Sequence, residues 1–216
     1  MTDTEDRATD LPTPVRNALV ELVIRGMYRG ELTAAQKALI ERGLALVKGP
    51  LLMPIGSAAA LAGTLVRLPI GSEAEARVRR LLEVFLPINR QLRELCTAWQ
   101  IRPDGSVNDH TDAMYDAGVR DRLDDIHDAT TPVLDRLAMI RPELGGYGPR
   151  LQSALDRLDA GETGWLASPL LDSYHTVWMH LHQELLMALG MTRKDDEELE
   201  AALVAGQPAL VTPQGG

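Results

Sequence analysis

Cysteine is almost absent from this sequence. The single one, Cys96, excludes an internal disulfide framework and a zinc site built on several thiolates. Because Cys96 falls within the apolar pattern of a predicted helix, we interpret it as a small buried hydrophobe rather than a reactive thiol. Aromatic residues make up only 4% of the chain, whereas Leu, Ala, Arg and Glu are abundant. This composition favours helices over sheets.

Long apolar runs are also missing. No stretch reaches the roughly 18 apolar residues that a membrane span needs, and the start, MTDTEDRATD, is too acidic for a signal peptide. We therefore expect a cytoplasmic protein with no membrane partner. The sequence has no P-loop, nucleophile elbow or G-x-G-x-x-G motif. Hence we expect no cofactor, and a non-catalytic role is favoured over an enzymatic one.

The predicted fold is mainly α, with a reduced winged-helix-like module at residues 11–70 that contains a short β-hairpin. Gly26 ends a first helix, Thr33 caps a second, and the apolar runs LALV and LLMPI flank Lys48-Gly49-Pro50 as in a hairpin. The interval from Gly26 to Thr33 is too short for the additional helix that a winged helix normally carries. The module is therefore predicted to be remodelled.

The rest of the chain is predicted to be a helical bundle at residues 71–193. A disordered tail at 1–10 precedes the module, and a short helix with a loose tail is expected at 194–216. Pro87 should kink or split a long helix that follows Ser72. Further helices are expected from about Asp109 to Asp128, from Pro132 to Ile140, near Pro149 to Asp159 and from about Ser173 to Leu189.

Charge is divided unequally along the chain. Residues 11–80 carry ten Lys and Arg against five Glu, a net charge of +5, whereas residues 81–216 carry −11. A cationic front on an anionic body is compatible with contact to nucleic acid, for which Lys37, Arg42 and Lys48 are the candidate residues. It is equally compatible with a front module docked on the acidic body of its own or a partner chain.

The first of two polar islands is NDHTDAMYD, at residues 108–116. Asp109 is well placed as an N-cap and Asp112 for the first turn of the same helix. Asp109, Asp112 and Asp116 recur at spacings of three and four, so they are predicted to share one helix face, with Arg120 close enough to neutralise Asp116. Capping and helix packing compete here with a ligand or ion site.

The second island is DSYHTVWMHLHQE, at residues 172–184. Tyr174 and Trp178 belong to a stripe predicted to face the core, and His180 with Glu184 is predicted to lie on a solvated side. His175 and His182 are seven residues apart, about 10.5 Å along a helix, which is too far for both to bind one ion. Histidines bonded across helices are favoured over a metal site. Arg102, Arg141 and Arg150 are candidates for clamping an anion.

Two sets of motifs resemble known families. LIERGLALVKGPLLMPIGSAAAL resembles the recognition-helix-to-wing segment of MarR-like transcriptional regulators. Both islands, with the preceding WQIR, resemble an actinobacterial helical domain that occurs alone or at the C-terminus of proteins like pyruvate phosphate dikinase and other phosphoenolpyruvate-using enzymes. The positions that match its signature are Trp99, Asn108, Asp109, His110, Asp112, Tyr115, Asp116, Asp172, Tyr174, His175, Trp178 and His182.

Three functions follow as hypotheses. The first is a homo-oligomeric regulator whose front module contacts DNA or protein and whose bundle, with the two islands facing each other, senses a small anionic ligand or binds a partner. The second, implied by the resemblance, is a subunit or regulatory domain of a phosphotransferase that uses phosphoenolpyruvate or pyruvate. The third is a metal-dependent enzyme with Asp109, Asp112, His175 and His182 as ligands.

Overall fold

The computed structural model describes residues 11–206, and in this range the chain is mainly helical, as predicted. The α-helices are α1 (Thr13–Arg25), α2 (Ala34–Glu41), α3 (Gly56–Val66), α4 (Glu73–Gln100), α5 (Ala113–Ile140), α6 (Tyr147–Asp159), α7 (Tyr174–Leu189) and α8 (Arg193–Val204). The strands are β1 (Tyr28–Arg29), β2 (Ala45–Lys48) and β3 (Leu51–Pro54), and 3₁₀ turns cover Pro142–Gly146 and Thr163–Trp165. The predicted tails, 1–10 and 207–216, lie outside the described residues.

Local signals define the front of the chain. Gly26, at φ 75°, ends α1 in the left-handed conformation that glycine adopts without steric cost. Thr33 begins α2 with a capping box in which its side chain and that of Gln36 each accept a backbone hydrogen bond. The predicted hairpin is confirmed, since β2 and β3 pair antiparallel around Gly49. The short β1, which was not predicted, pairs with the other edge of β3 and completes the sheet order β1-β3-β2.

Two separate hydrophobic cores are present. The front core is built from α1, α2, α3 and the sheet, around buried leucines that include Leu19, Leu22, Leu39, Leu52 and Leu61. The second core lies within the bundle and includes Phe85, Leu123, Leu151, Tyr174 and Trp178. The front module and the bundle therefore each have their own cluster of buried apolar side chains.

α4 and α5 form a long helical hairpin, and each contains a proline. Pro87 lies inside α4 and Pro132 inside α5, so the predicted break at Pro132 is wrong, and Pro87 does not divide its helix. Both prolines are on the exposed side, where the lost backbone hydrogen bond can be replaced by water. Buried neighbours such as Phe85 and Val133 hold the helices in place on the other side.

The predicted C-terminal helix is present as α8 and packs on the bundle. Leu199 and Met191 join the bundle core, and the Arg93 guanidinium binds the Glu200 carboxylate at 2.5 Å. Cys96 is buried in the same core, and burial raises the pKa of its thiol to about 12, so it remains a neutral, unreactive hydrophobe as interpreted. Within residues 11–206 no helix combines the length and apolarity needed to cross a membrane.

The front module docks on the C-terminal half of α7. Met187 packs against the front core, and the carbonyl of Ala188 accepts hydrogen bonds from the Leu68 amide at 2.9 Å and the Arg67 guanidinium at 3.1 Å. Arg141 donates to the Val66 carbonyl from the opposite side. Gly190 adopts the left-handed φ of 59° that favours glycine, and a Cβ at this position would also displace the Arg67 guanidinium, whose Cζ would lie 2.6 Å away.

Candidate functional site

The first island forms a polar joint between the end of α4 and the start of α5. The buried Asn108 amide donates to the Trp99 carbonyl at 3.1 Å and to Asp116 Oδ1 at 2.8 Å. These bonds use both amide hydrogens of Asn108. We therefore assign the hydrogen of the His110 ring to Nδ1, which donates a hydrogen bond to Asp116 Oδ2 at 3.0 Å. The joint is therefore a closed hydrogen-bond network.

Ring packing and a cation complete this joint. His110 has a left-handed backbone, at φ 60°, and its ring centroid lies 4.4 Å from that of Trp99. The Arg102 guanidinium donates to Asn108 Oδ1 at 3.3 Å and to Asp112 at 3.4 Å, and it covers the Tyr115 ring. Arg102 is thus occupied by the joint and does not join Arg141 and Arg150 in an anion clamp.

Two details of the first island differ from the prediction. The N-cap of α5 is Asp112, whose Oδ1 accepts from the Tyr115 amide at 3.1 Å, whereas Asp109 precedes the helix and closes a turn with Thr111. The three carboxylates therefore do not share one helix face. The turn at His110 is the reason, because it starts the helix one turn later than the spacing suggested.

Arg120 also finds other partners than predicted. Its guanidinium binds Asp159 of α6 at 2.7 Å and Asp124 of α5 at 3.5 Å, rather than Asp116. The Asp116 carboxylate is instead held by Asn108 and His110. Arg120 therefore links α5 to α6, which the spacing within one helix could not reveal.

The aromatic part of the second island is buried in the bundle, as predicted. Trp178 is 0% exposed, stacks on Phe85 with ring centroids 4.7 Å apart, and donates its indole N–H to Asn89 Oδ1 at 2.9 Å. The Tyr174 hydroxyl lies 3.3 Å from His127 Nδ1 of α5. These side chains join α7 to α4 and α5 and act as a structural core.

The two histidines of the predicted signature have different environments. His182 is buried, and its Nε2 lies 3.1 Å from the Asp196 carboxylate, which fixes α8 against α7. His175 is half-buried, and burial lowers the pKa of its ring. His182 is therefore a joint between helices, as favoured from the sequence.

The islands form separate networks. Among residues 11–206, no hydrogen bond, ion pair or ring contact joins residues 108–116 to residues 172–184, so the expected shared site is not formed. In the same range no three His, Cys, Asp or Glu side chains are grouped to hold a metal ion. Asp109 and Asp112 lie beside Arg102, whereas His182 binds Asp196. The geometry gives no support to Asp109, Asp112, His175 and His182 as one ligand set.

Asp172 connects the bundle to the front module. Its carboxylate lies 2.8 Å from Arg25 of α1 and 3.2 Å from Arg150 of α6. Burial pushes the pKa of Asp172 upward, but the two guanidinium groups outweigh burial and hold this pKa below its usual range. This ion-pair bridge corresponds to the docked arrangement of a cationic front on the acidic body of its own chain.

A pocket opens beside this bridge, at the junction of the two modules. It has a volume of about 230 Å³ and lies between α1, the 3₁₀ turn at Pro142–Gly146, α6 and α7. Its polar walls include both Arg141 and Arg150, which the sequence analysis had named as candidates for an anion clamp. Val20 and Ile24 of α1 provide the apolar part of the lining.

His180 and Glu184 also line this pocket, and their predicted solvent exposure is wrong. Glu184 is only 6% exposed and accepts a hydrogen bond from the Tyr147 hydroxyl at 2.7 Å. Burial raises the pKa of Glu184 and also that of Tyr147. Docking of α1 and α6 covers this face of α7, which the periodicity of α7 alone could not show.

His180 lines the same pocket and contacts Arg150. Burial, together with the charges of Arg25 and Arg150, lowers the pKa of His180 to about 4. Its imidazole is therefore neutral at neutral pH. Its Nδ1 lies 3.4 Å from Arg150 Nη2, so it accepts from that guanidinium. The sequence did not predict a role for Tyr147, Arg25 or His180 in this pocket, because no regular spacing along the chain connects these residues.

The candidate nucleic-acid residues lie on the outer side of the front module. Lys37 is exposed on α2, Arg42 follows the end of α2, and Lys48 is exposed at the hairpin turn. In the described part of the chain none of the three forms an ion pair. Comparison of the chain with protein-family models, with curated proteins and with solved structures gave no match.

Proposed function

We propose that the chain is a non-catalytic regulatory protein whose front module contacts DNA and whose junction with the bundle responds to a small ligand. The observation that carries the proposal is a set of four exposed cationic side chains of the front module, which we name the cationic tip: Arg29 of β1, Lys37 of α2, Arg42 at the end of α2 and Lys48 of the hairpin. Those four side chains project from one small module, whereas the bundle carries the negative charge.

The order of elements supports DNA as the partner of the cationic tip. Helix, helix, apolar hairpin and helix follow one another as in a winged helix, although one helix fewer separates β1 from α2. The bundle docks on α1 and α3 and leaves the outer face of α2 open. An exposed helix of this kind can enter the major groove, and the neighbouring hairpin can reach the phosphate backbone.

Binding by this surface should depend strongly on salt. Each phosphate contact made by a lysine or arginine contributes about 0.9 to the slope of log affinity against log salt. Replacing Lys37, Arg42 and Lys48 by alanine should therefore weaken binding to a fluorescent duplex at low salt and reduce that slope by about 2 to 3. Fluorescence anisotropy over a salt series measures both quantities.

A matched control is available on α4. Arg77, Arg80 and Arg90 are also exposed, so their triple replacement by alanine removes the same charge at a different place. This control should retain most of the affinity and salt slope. Absence of binding by the unmodified protein to genomic fragments at low salt, or equal losses in both triple variants, would contradict the proposal.

The predicted partnership with a phosphotransferase and the predicted homo-oligomer stay predictions. Asp172, at the signature of the phosphotransferase-associated domain, is engaged by Arg25 and Arg150 within the chain. A substitution at Asp172 would therefore disturb the contact between the two modules of this chain, whether or not it also affected a contact with a phosphotransferase.

A further inference from the structure

We propose that the junction pocket binds a small metabolite that carries a carboxylate and, a few ångströms away, a hydroxyl or ammonium group. This inference rests on the proposed regulatory function, since it names the site and the chemical class of its ligand. The pocket volume, about 230 Å³, lies below the roughly 300–1,000 Å³ of pockets for drug-sized ligands. A volume of this size suits a compact metabolite.

Arg150 provides the position for the carboxylate. Its Nη2 donates to Asp172 at 3.2 Å and to His180 Nδ1 at 3.4 Å. Among the described residues, its Nε and Nη1 make no hydrogen bond, although the side chain lines the pocket. A guanidinium group offers five donors and remains charged, so the unused donors can bind a ligand carboxylate. Arg141 adds a second positive charge on the same wall.

Glu184 provides the position for a donor group of the ligand. Its Oε2 accepts from Tyr147, whereas within residues 11–206 its Oε1 accepts no hydrogen bond. Among the described residues Oε1 is not a sealed, unpaired atom, so it faces the pocket, where a ligand donor can take the place of water. A hydroxyl or ammonium group of the ligand would supply that donor.

The remaining walls restrict the ligand further. Glu21 and Glu143 also line the pocket, so with Glu184 three carboxyl groups surround it. Glu21 pairs with Arg25 at 3.0 Å and Glu143 with Arg141 at 3.6 Å, so the carboxylates offset much of the arginine charge that a multiply charged anion such as phosphate would need. Glu184, which pairs with no cation among the described residues, would stabilise an ammonium group. Val20 and Ile24 leave room for a short apolar segment between the two polar ends. This arrangement of walls fits a small amino acid or hydroxy acid.

The position of Arg150 couples the pocket to the front module. The same guanidinium holds Asp172, and Asp172 in turn holds Arg25 of α1. A ligand carboxylate on Nε and Nη1 shares the positive charge of Arg150 with the Asp172 carboxylate on Nη2, and it therefore weakens the bridge between the bundle and α1. Occupation of the pocket is expected to alter how firmly the front module is docked.

Isothermal titration calorimetry with the whole chain, in the absence of DNA, tests the site. L-serine, L-lactate and propionate are used as probes, because they carry an ammonium and a hydroxyl, a hydroxyl alone, or neither. At least one of serine and lactate should bind, and propionate should bind at least tenfold more weakly. Glu184→Gln, whose amide oxygen can still accept the Tyr147 bond, should weaken an ammonium ligand more than a hydroxy acid.

Two variants locate the binding. Ile24→Phe should place a ring in the pocket without removing a polar contact, and Arg150→Gln removes the proposed carboxylate donor. Each should lower the affinity of the bound probe at least tenfold, whereas Arg122→Gln, on the exposed side of α5, should leave it unchanged. Circular dichroism checks that all three variants are folded.

The proposal is overturned if neither serine nor lactate binds at 20 mM, or if propionate binds equally well. It is also overturned if binding survives both Ile24→Phe and Arg150→Gln. Because calorimetry is done without DNA, these results are independent of the salt-dependent anisotropy that tests the proposed function. Loss of DNA binding with an intact serine or lactate site would therefore reject only the DNA-contacting role.

Discussion

The two polar islands are similar in sequence but have different structural roles in the fold. In the α4–α5 joint every hydrogen-bond partner lies close along the chain, the most distant pair being Tyr115 and Ala98, 17 residues apart. In the second island the most distant partners are remote: Trp178 binds Asn89 across 89 residues, and Asp172, just before α7, binds Arg25 across 147, although His182 binds Asp196 only 14 residues away. A cluster of polar residues in a sequence can therefore indicate either a local turn or long-range contacts between helices.

Burial separates the two regions as well. Asp109, Thr111 and Asp112 of the joint are exposed, whereas Tyr174 and Trp178 are 0% exposed. Apolar area removed from water stabilises the fold by about 25 cal/mol per Å², so substitutions on α7 should cost more than substitutions in the joint. Asp172 is only partly buried, so substituting it should reduce stability less still.

The largest effect is expected from Trp178→Ala. This change removes a stacked ring from the core and leaves Asn89 Oδ1 buried without its donor. Truncation of a buried aromatic residue costs about 3–5 kcal/mol of unfolding free energy. Denaturant titration measures the loss. Trp178→Phe keeps a ring but deletes the N–H, and a loss as large as that of the alanine variant would show that the hydrogen bond, rather than packing, dominates.

An intermediate effect is expected from Asn108→Ala in the α4–α5 joint. The substitution removes the donor to both the Trp99 carbonyl and Asp116. Loss of a buried hydrogen-bonding partner costs about 1–3 kcal/mol, which is measurable by the same titration. The exposed neighbour Asp109 is the control, and Asp109→Ala should leave the midpoint unchanged. Equal shifts in the two variants would mean that the joint is held by general charge rather than by the Asn108 network.

The smallest effect is expected from Asp172→Asn, which weakens the bridge to Arg25 and Arg150. Partly exposed ion pairs contribute about 0–1 kcal/mol, and the Asp172 side chain is 35% exposed. Because the folded pKa of Asp172 is lowered, its contribution is fully present above an unfolded pKa of about 3.9 and is lost as pH falls through the folded pKa.

The pH dependence makes this small difference identifiable. The unmodified protein should be more stable than Asp172→Asn at pH 7, and the two should converge as pH is lowered towards 3. Asp125→Asn, an exposed control on α5 with no ion pair among the described residues, should show no such convergence. A constant difference between pH 7 and pH 3 would exclude the ionised bridge as its cause.

Local signals predicted much of the architecture. The Thr33 cap, the glycine end of α1 and the hairpin at Gly49 were each predicted from neighbouring residues, and each is present. The stripe on α7 that includes Tyr174 and Trp178 was also predicted as core. Such signals succeed because capping, turn formation and helical periodicity depend on residues only a few positions apart.

The predictions of solvent exposure failed where the front module packs against the bundle. His180 and Glu184 were expected in solvent, because their side of α7 is polar and the sequence contains no sign that α1 and α6 pack there. The start of α5 was misplaced by one turn, because His110 adopts a left-handed conformation that histidine takes only occasionally. Arg102, Arg141 and Arg150 were predicted together as candidates for an anion clamp, but only Arg141 and Arg150 share a pocket, which depends on the 3₁₀ turn between them and on the docking of α1.

The sequence by itself determined a mainly helical chain, its small hairpin and the apolar faces of its helices, because these depend on spacing and on side-chain propensity. Only the tertiary structure decided that the two islands remain separate and that a pocket forms beside the Arg25–Asp172–Arg150 bridge. The physical reason is that ion pairs and cavities form between surfaces that the packing of two hydrophobic cores brings together. The separation of two residues along the chain does not indicate whether their surfaces will come into contact.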